Sequence, residues 1–329
     1  TVAAFIGFMG AFDDTYPLIM FSEIMYHDST LYFALISGLL FTKILKPKGY
    51  HRFYTSKLKN ILLPYIFFTL LLTLIRMRFD NVSNFQDGFE MYFTKAFRNF
   101  IFGKANFALW YIPVLIFLYL VTPLLDYLQK TNKITKVLFV IIMFAPLYVS
   151  RIQMAFDYIL KLETMIYFMG AYAIGMYIGT DLDANLQLVK KYKVYIVAIA
   201  LVTTAVLFYL YIQQIDMAGK VSLRESVYYI QKICFALILI MLFKRLGEHQ
   251  PKWLKPIARD SFSIYFMHGY LLFSSYHLFA FVTGLESIEP FNIILGTIML
   301  LVYAIGISML VVFVFKKVFG KHSRMIVGA

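Results

Sequence analysis

Long apolar runs separated by short polar segments make up nearly the whole chain of 329 residues. After a partial run at 1–12, they fall near 29–45, 60–76, 107–126, 135–151, 163–179, 193–213, 227–243, 261–283 and 292–315. Each is close to the roughly 20 residues that a helix needs to cross a bilayer. The runs are continuous, not alternating, which disfavours a barrel. Helices are the other structure that satisfies backbone polar groups in lipid. The pattern therefore predicts an all-α, polytopic membrane bundle of about ten transmembrane helices, organised as one membrane domain over 1–329. The stretch at 1–12 is too short to span at about 1.5 Å per residue. The chain is expected to be cut inside its first helix.

One connecting segment, 77–106, is long. Within it Phe89, Tyr92, Phe93, Phe97 and Phe100 recur at roughly helical spacing among Glu90, Lys95 and Arg98. That spacing predicts a short amphipathic helix lying in the membrane interface. It would serve as a surface brace or as one wall of a substrate groove.

Composition agrees with this placement. Of the residues, 61% are hydrophobic and only 15% charged, against about 25% charged in a soluble domain. The net charge of +13 would suit a nucleic-acid partner if it were spread over one surface. Instead, 21 of the 31 basic residues fall in the segments 42–59, 127–136, 180–193, 244–260 and the tail from Lys316. The segments 13–28 and 284–291 carry acids and no Lys or Arg. Simple alternation puts the five basic segments on one side. The positive-inside rule makes that side the cytoplasm, with the C-terminus there too. A multi-pass protein of the cytoplasmic membrane, with the bilayer and no nucleic acid as partner, is expected.

Candidate chemistry is sparse. Cys234 is the only cysteine, so thiolate metal sites and disulfide scaffolds are excluded. No His pair at i, i+4, no mid-membrane carboxylate cluster and no phosphate-binding loop stands out, so no metal is expected. Ionisable groups within spans are functional candidates by default. His268 lies about 12 Å of helical rise beyond Asp260 and can exchange protons near neutral pH. Packing against a neighbouring carbonyl is its bland alternative. Lys232 is expected to snorkel from its span to the outer interface. His27, in the acidic outer segment, is a possible substrate contact, and His277 is expected to be interfacial. His51, His249 and His322 are expected to be peripheral. Arg52, Lys57 and Lys59 place three cations at a cytoplasmic helix mouth, where they would attract a phosphorylated donor or simply anchor topology.

Several segments taken together resemble the acyltransferase family 3 membrane proteins, with surface-polysaccharide O-acyltransferases of bacteria as the most similar subgroup. Phe33-Ala34-Leu35-Ile36-Ser37-Gly38 resembles the family's Phe-Phe-x-x-Ser-Gly signature. The stretch from Phe53 through Lys57 and Lys59 to Pro64-Tyr65 resembles the basic, Pro-terminated segment after it. Leu109-Trp110-Tyr111 and the helix reaching Pro123 resemble the His-Leu-Trp-Phe segment, without its His. Tyr167-Phe168-Met169-Gly170-Ala171-Tyr172 resembles a later Phe-x-x-Gly-Tyr helix. Ser261-Phe262-Ser263-Ile264-Tyr265-Phe266-Met267-His268 resembles the near-terminal Ser-x-x-Ile-Tyr-x-x-His motif. The family's first-helix Arg and His are absent from 1–12, and its two Arg spaced by three stand here as Lys57 and Asn60.

The resemblance implies transfer of an acyl group, usually acetyl, from cytoplasmic acyl-CoA to a hydroxyl of a glycan or lipid-linked sugar. His268 is the expected catalytic residue, in a role supporting the first-helix histidine. Arg52, Lys57 and Lys59 would bind the acyl-CoA. Ser37, Trp110, Tyr111 and Tyr265 would line the substrate path. A non-catalytic transporter or export factor for a polysaccharide or small molecule is the alternative.

Overall fold

In the computed structural model, residues 16–79, 88–149, 151, 161–213, 215, 222–249, 251–283 and 293–328 are described. Among them the chain is helical and contains no strand. In order, the helices are α1 (Tyr16–Tyr26), α2 (Thr30–Leu40), α3 (Tyr50–Lys57), α4 (Leu63–Phe79), α5 (Gly88–Phe102), α6 (Tyr111–Lys130), α7 (Lys133–Phe144) and α8 (Leu162–Thr180). They continue as α9 (Leu182–Lys191), α10 (Lys193–Ile212), α11 (Leu223–Leu246), α12 (Leu254–Arg259), α13 (Ser261–Thr283), α14 (Ile293–Phe319) and α15 (Ser323–Val327). Six helical stretches among the described residues are long and apolar enough to cross a membrane: Met20–Lys48, Tyr50–Arg78, Tyr111–Lys130, Lys193–Ile212, Leu223–Leu246 and Ile298–Val327. The expected partial helix at 1–12, the acidic segment 284–291 and the side chain of His277 lie outside the described residues.

The exposed surface confirms the solvent. On α10, Val194, Leu201, Val202 and Ile212 are each at least 60% exposed. A water-facing helix would not present such a continuous apolar surface. Lipid tails accept it without penalty, and the driving force for packing then comes from close contact.

The chain forms two compact units. One combines residues 23–54 with 114–249. Its centre is the crossing of α2 on α8, where small residues let the backbones touch. A Cβ on Gly38 would stand 2.1 Å from the Tyr172 carbonyl oxygen, and one on Gly175 would stand 1.9 Å from that of Leu35. Gly179, one turn on from Gly175, meets Leu39 and Thr42. Gly175→Val should therefore force the helices apart. Overpacking of this kind costs about 1–3 kcal/mol or more, read as a lowered unfolding midpoint in detergent. An unchanged midpoint would mean that the crossing is not tight.

The run at 135–151 departs from its expectation as one span. Helix α7 has 12 residues, about 18 Å of rise, and a 3-10 turn at Ala145–Tyr148 follows it. Pro146 lacks the N–H that would continue the helix. Ser226 Oγ donates to the Leu147 carbonyl and Tyr229 OH to that of Met143, tying the turn to α11.

The other unit takes residues 55–113 and 250–329 with the N-terminal residues. Helix α5 packs along α4: Tyr65 OH donates to Phe100 O at 2.5 Å, and Asn99 donates to Thr73 Oγ1 at 3.0 Å. The five aromatics grouped by sequence divide between two faces. Phe89, Phe93 and Phe97 form an exposed row, whereas Tyr92 bonds the Leu70 carbonyl and Phe100 packs on Tyr65. The reason is that α4 needs partners on the inner side while the outer side meets lipid. The amphipathic helix itself is present as expected.

Candidate functional site

Helix α13 carries Tyr265 and His268 three residues apart, hence on one face. His268 Nδ1 is 2.7 Å from the carbonyl oxygen of Tyr265. A carbonyl only accepts, so Nδ1 carries the proton and Nε2 presents its lone pair. Tyr265 OH donates to the Ala108 carbonyl. This fastens α13 to the turn over 103–110, which delivers Trp110 and Tyr111. That turn needs two glycines. Gly103 has φ +65°, and a Cβ there would stand 2.6 Å from Trp110 Cα. Gly269 faces Asn106 and Ala108 where a Cβ would stand 2.7–2.8 Å away. Buried Asn106 leaves its Nδ2 without a hydrogen-bond partner among the described residues.

The start of α13 is fixed electrostatically. Asp260 takes Lys316 Nζ at 2.7 and 2.8 Å and the Arg259 guanidinium at 3.1 Å. Burial alone would raise this carboxyl. The hydrogen bonds from Arg259 and Lys316 outweigh it and hold the group below the usual carboxylate range.

The other sequence-predicted residues are placed as follows. Arg52 and Lys59 are exposed and Lys57 is half-buried, on α3 and the π-helical turn Leu58–Leu62 that continues it. Such wide turns recur at functional sites. Ser37 is buried next to Gly38 at the crossing of α2 and α8. In the same unit, a cleft of about 530 Å³ is lined by Thr42, Lys46, Tyr50, Asp126, Lys130 and Thr180. Asp126 already takes Lys46 at 2.5 Å, Tyr50 at 2.9 Å and Lys130 at 3.2 Å.

The densest group of charges escaped the sequence reading. Arg151 is buried and bridges two carboxylates, with Nη2 2.5 Å from Asp28 Oδ2 and Nε 2.8 Å from Glu225 Oε2. Tyr167 OH also donates to Asp28 at 2.9 Å, and its ring lies 3.6 Å beneath the guanidinium. Asp28 sits at φ +55°, a left-handed position that Asp tolerates, in the break between α1 and α2. At that break Ser29 N turns to Tyr26 O, so the Met25 carbonyl loses its helical donor. Lys232 replaces it. Its Nζ donates to Ile24 O at 3.0 Å, Met25 O at 2.9 Å and Gln231 Oε1 at 2.9 Å.

Lys232 is therefore fully buried, not snorkelling as its nearness to the outer end suggested. Three local acceptors offset its desolvation better than a path to the surface. Beside this cap, His27 Nδ1 meets Glu23 Oε1 at 2.7 Å, and its ring lies 4.5 Å from Tyr228.

His27, Asp28 and Glu225 bring one ligand atom each within 4.8 Å, a grouping the sequence did not predict. The guanidinium already occupies both carboxylates, so a divalent cation here would have to displace Arg151 from each.

Helices that face lipid and bury paired ionisable groups within their spans define a polytopic membrane protein with a functional interior. A family model described as an acyltransferase domain matches residues 5–315, and the chain belongs to that family, acyltransferase family 3. It is a membrane acyltransferase in this general sense. No curated protein and no solved structure matches the chain.

Proposed function

We propose that the protein moves an acyl group, acetyl in the simplest case, from acyl-CoA to a hydroxyl of a cell-surface glycan or lipid-linked sugar. The family match over residues 5–315 carries this reading. The protein would sit in the bacterial cytoplasmic membrane with its basic loops and C-terminus inside, as the charge pattern favours. Arg52, Lys57 and Lys59 would draw the donor phosphates to the cytoplasmic mouth. His268, with Nε2 presenting a lone pair, would accept a hydrogen bond from the donor and orient its thioester. Tyr265, Trp110 and Tyr111 would line the substrate path. Burial among helices would keep water from the thioester.

The test uses the protein in lipid nanodiscs with labelled acetyl-CoA and a lipid-linked glycan extract. Release of free thiol together with label in the glycan is expected. Absence of both, with acetyl and longer acyl donors alike, would overturn the reading in favour of an export role.

In the same assay, the Lys57→Ala, Lys59→Ala double variant should raise the KM for acetyl-CoA several-fold and leave that for the acceptor unchanged. An unmoved donor KM would reduce both lysines to topology anchors.

A further inference from the structure

We infer that the cleft at the ends of α6 and α8 binds the phosphate of an anionic membrane lipid. The inference stands apart from the acyl-transfer reading and adds a lipid site to the protein.

The cleft lies wholly within the unit that combines 23–54 with 114–249. Its volume of about 530 Å³ falls in the roughly 300–1,000 Å³ range of small-molecule sites. Three charged side chains line it, and they do not balance. Lys46 and Lys130 share one carboxylate, Asp126, at 2.5 and 3.2 Å. Each ammonium has three N–H donors and gives one of them to Asp126. Tyr50 OH spends its proton on the same carboxylate. The cleft therefore keeps one surplus positive charge and N–H donors to spare. Lys130 is 57% exposed, so a ligand can reach it without displacing Asp126.

A second observation, independent of charge, points to a ligand. Thr42 also lines the cleft, and its Oγ1 is buried without a hydrogen-bond partner among the described residues. Burying a hydroxyl unpaired is costly, and a bound acceptor removes the cost. A Cβ on Gly179 would stand 3.0 Å from the Thr42 Cβ, so the α8 backbone holds this side chain in place. A phosphate supplies what both observations lack. Its oxygens accept charge-assisted bonds from the ammoniums and one from the hydroxyl.

Location selects a lipid as the source. The apolar stretches Met20–Lys48 and Tyr111–Lys130 both finish at the cleft, the level of the headgroups when these helices span a bilayer. On the same stretches Leu40 and Ile44, and Leu120, Leu124 and Tyr127, are exposed and offer a surface to acyl chains. Exposed Lys43, Lys48 and Lys133 follow within a few residues and add basic charge. Basic pockets between transmembrane helices recur as sites for anionic headgroups. A soluble phosphate would use the ammoniums and the hydroxyl but not the apolar surface.

The test uses the full chain, delipidated in detergent, with phosphatidylglycerol, phosphatidylcholine, inorganic phosphate and coenzyme A as separate additions. Phosphatidylglycerol should raise the unfolding midpoint by several degrees and remain bound in native mass spectrometry, and the other three should do neither. Thr42→Val should weaken phosphatidylglycerol binding about tenfold, the usual cost of one hydrogen bond to a charged group. It should leave the lipid-free midpoint unchanged or higher, a split that a packing role for the hydroxyl would not produce. Lys130→Gln should weaken binding several-fold, whereas Lys136→Gln, outside the cleft lining, should not. If Thr42→Val does not accumulate, the comparison of Lys130→Gln with Lys136→Gln decides. Equal binding by wild type and Lys130→Gln, or an equal shift from phosphatidylcholine, would overturn the site. A shift from inorganic phosphate or coenzyme A that needs Lys130, with none from phosphatidylglycerol, would overturn the lipid as its occupant.

Discussion

Arg151→Met should destabilise the protein by about 3–5 kcal/mol, the range for removing one partner of a buried ion pair. The variant leaves Asp28 and Glu225 buried and close together without their guanidinium, with Tyr167 still donating to Asp28 and His27 Nε2 3.6 Å from it. Neither carboxylate has solvent to turn to, because each side chain is less than a tenth exposed. Size-exclusion chromatography in detergent should show little folded protein, and any survivor should melt well below wild type. Arg151→Lys should recover part of the loss. An ammonium keeps the charge but not the planar fork that reaches both carboxylates. The triple variant Arg151→Met, Asp28→Asn, Glu225→Gln should recover more, since no uncompensated charge remains. If Arg151→Met melts like wild type, the network contributes nothing to folding.

His268→Gln should lower glycan acylation by about 10²-fold, the usual cost of losing one well-placed catalytic hydrogen bond. Glutamine keeps the bulk and can still bond a carbonyl, but it cannot hold a proton or present the lone pair of Nε2 in the same place. Folding should survive, because Tyr265 and Asp260 secure α13 independently through Ala108 and Lys316. Labelled product is compared at equal protein, with unfolding midpoints measured alongside. Near-normal turnover would leave His268 as a packing residue whose bond to Tyr265 O is its whole role.

These two residues show how differently parts of the site were legible. His268 and Tyr265 are three positions apart on one helix, so their shared face follows from helical geometry, and the motif around them marked both. Arg151 meets partners 123 and 74 positions away along the chain. Read locally, it is a lone cation closing an apolar run, and Asp28 is one acid among several in an outer segment. The one available signal was energetic: an Arg ending a membrane run needs a counter-charge, and Glu225 opens another run. Lys232 misled for the same reason. A lysine near a helix end usually reaches water, but here unpaired carbonyls of a broken helix lie nearer.

The sequence by itself determined the all-helical class, the placement in a membrane, the amphipathic helix and the family. Hydropathy, charge bias and motif order are sums over neighbouring residues, and folding does not change them. Tertiary structure alone decided that Asp28, Arg151, Glu225 and Lys232 stand together and that α7 ends early. Which helices face one another depends on close backbone approach, as where Gly38 and Gly175 admit α2 against α8. Buried charges are stable only where such packing delivers their partners, so their arrangement is a property of the fold and not of any one segment.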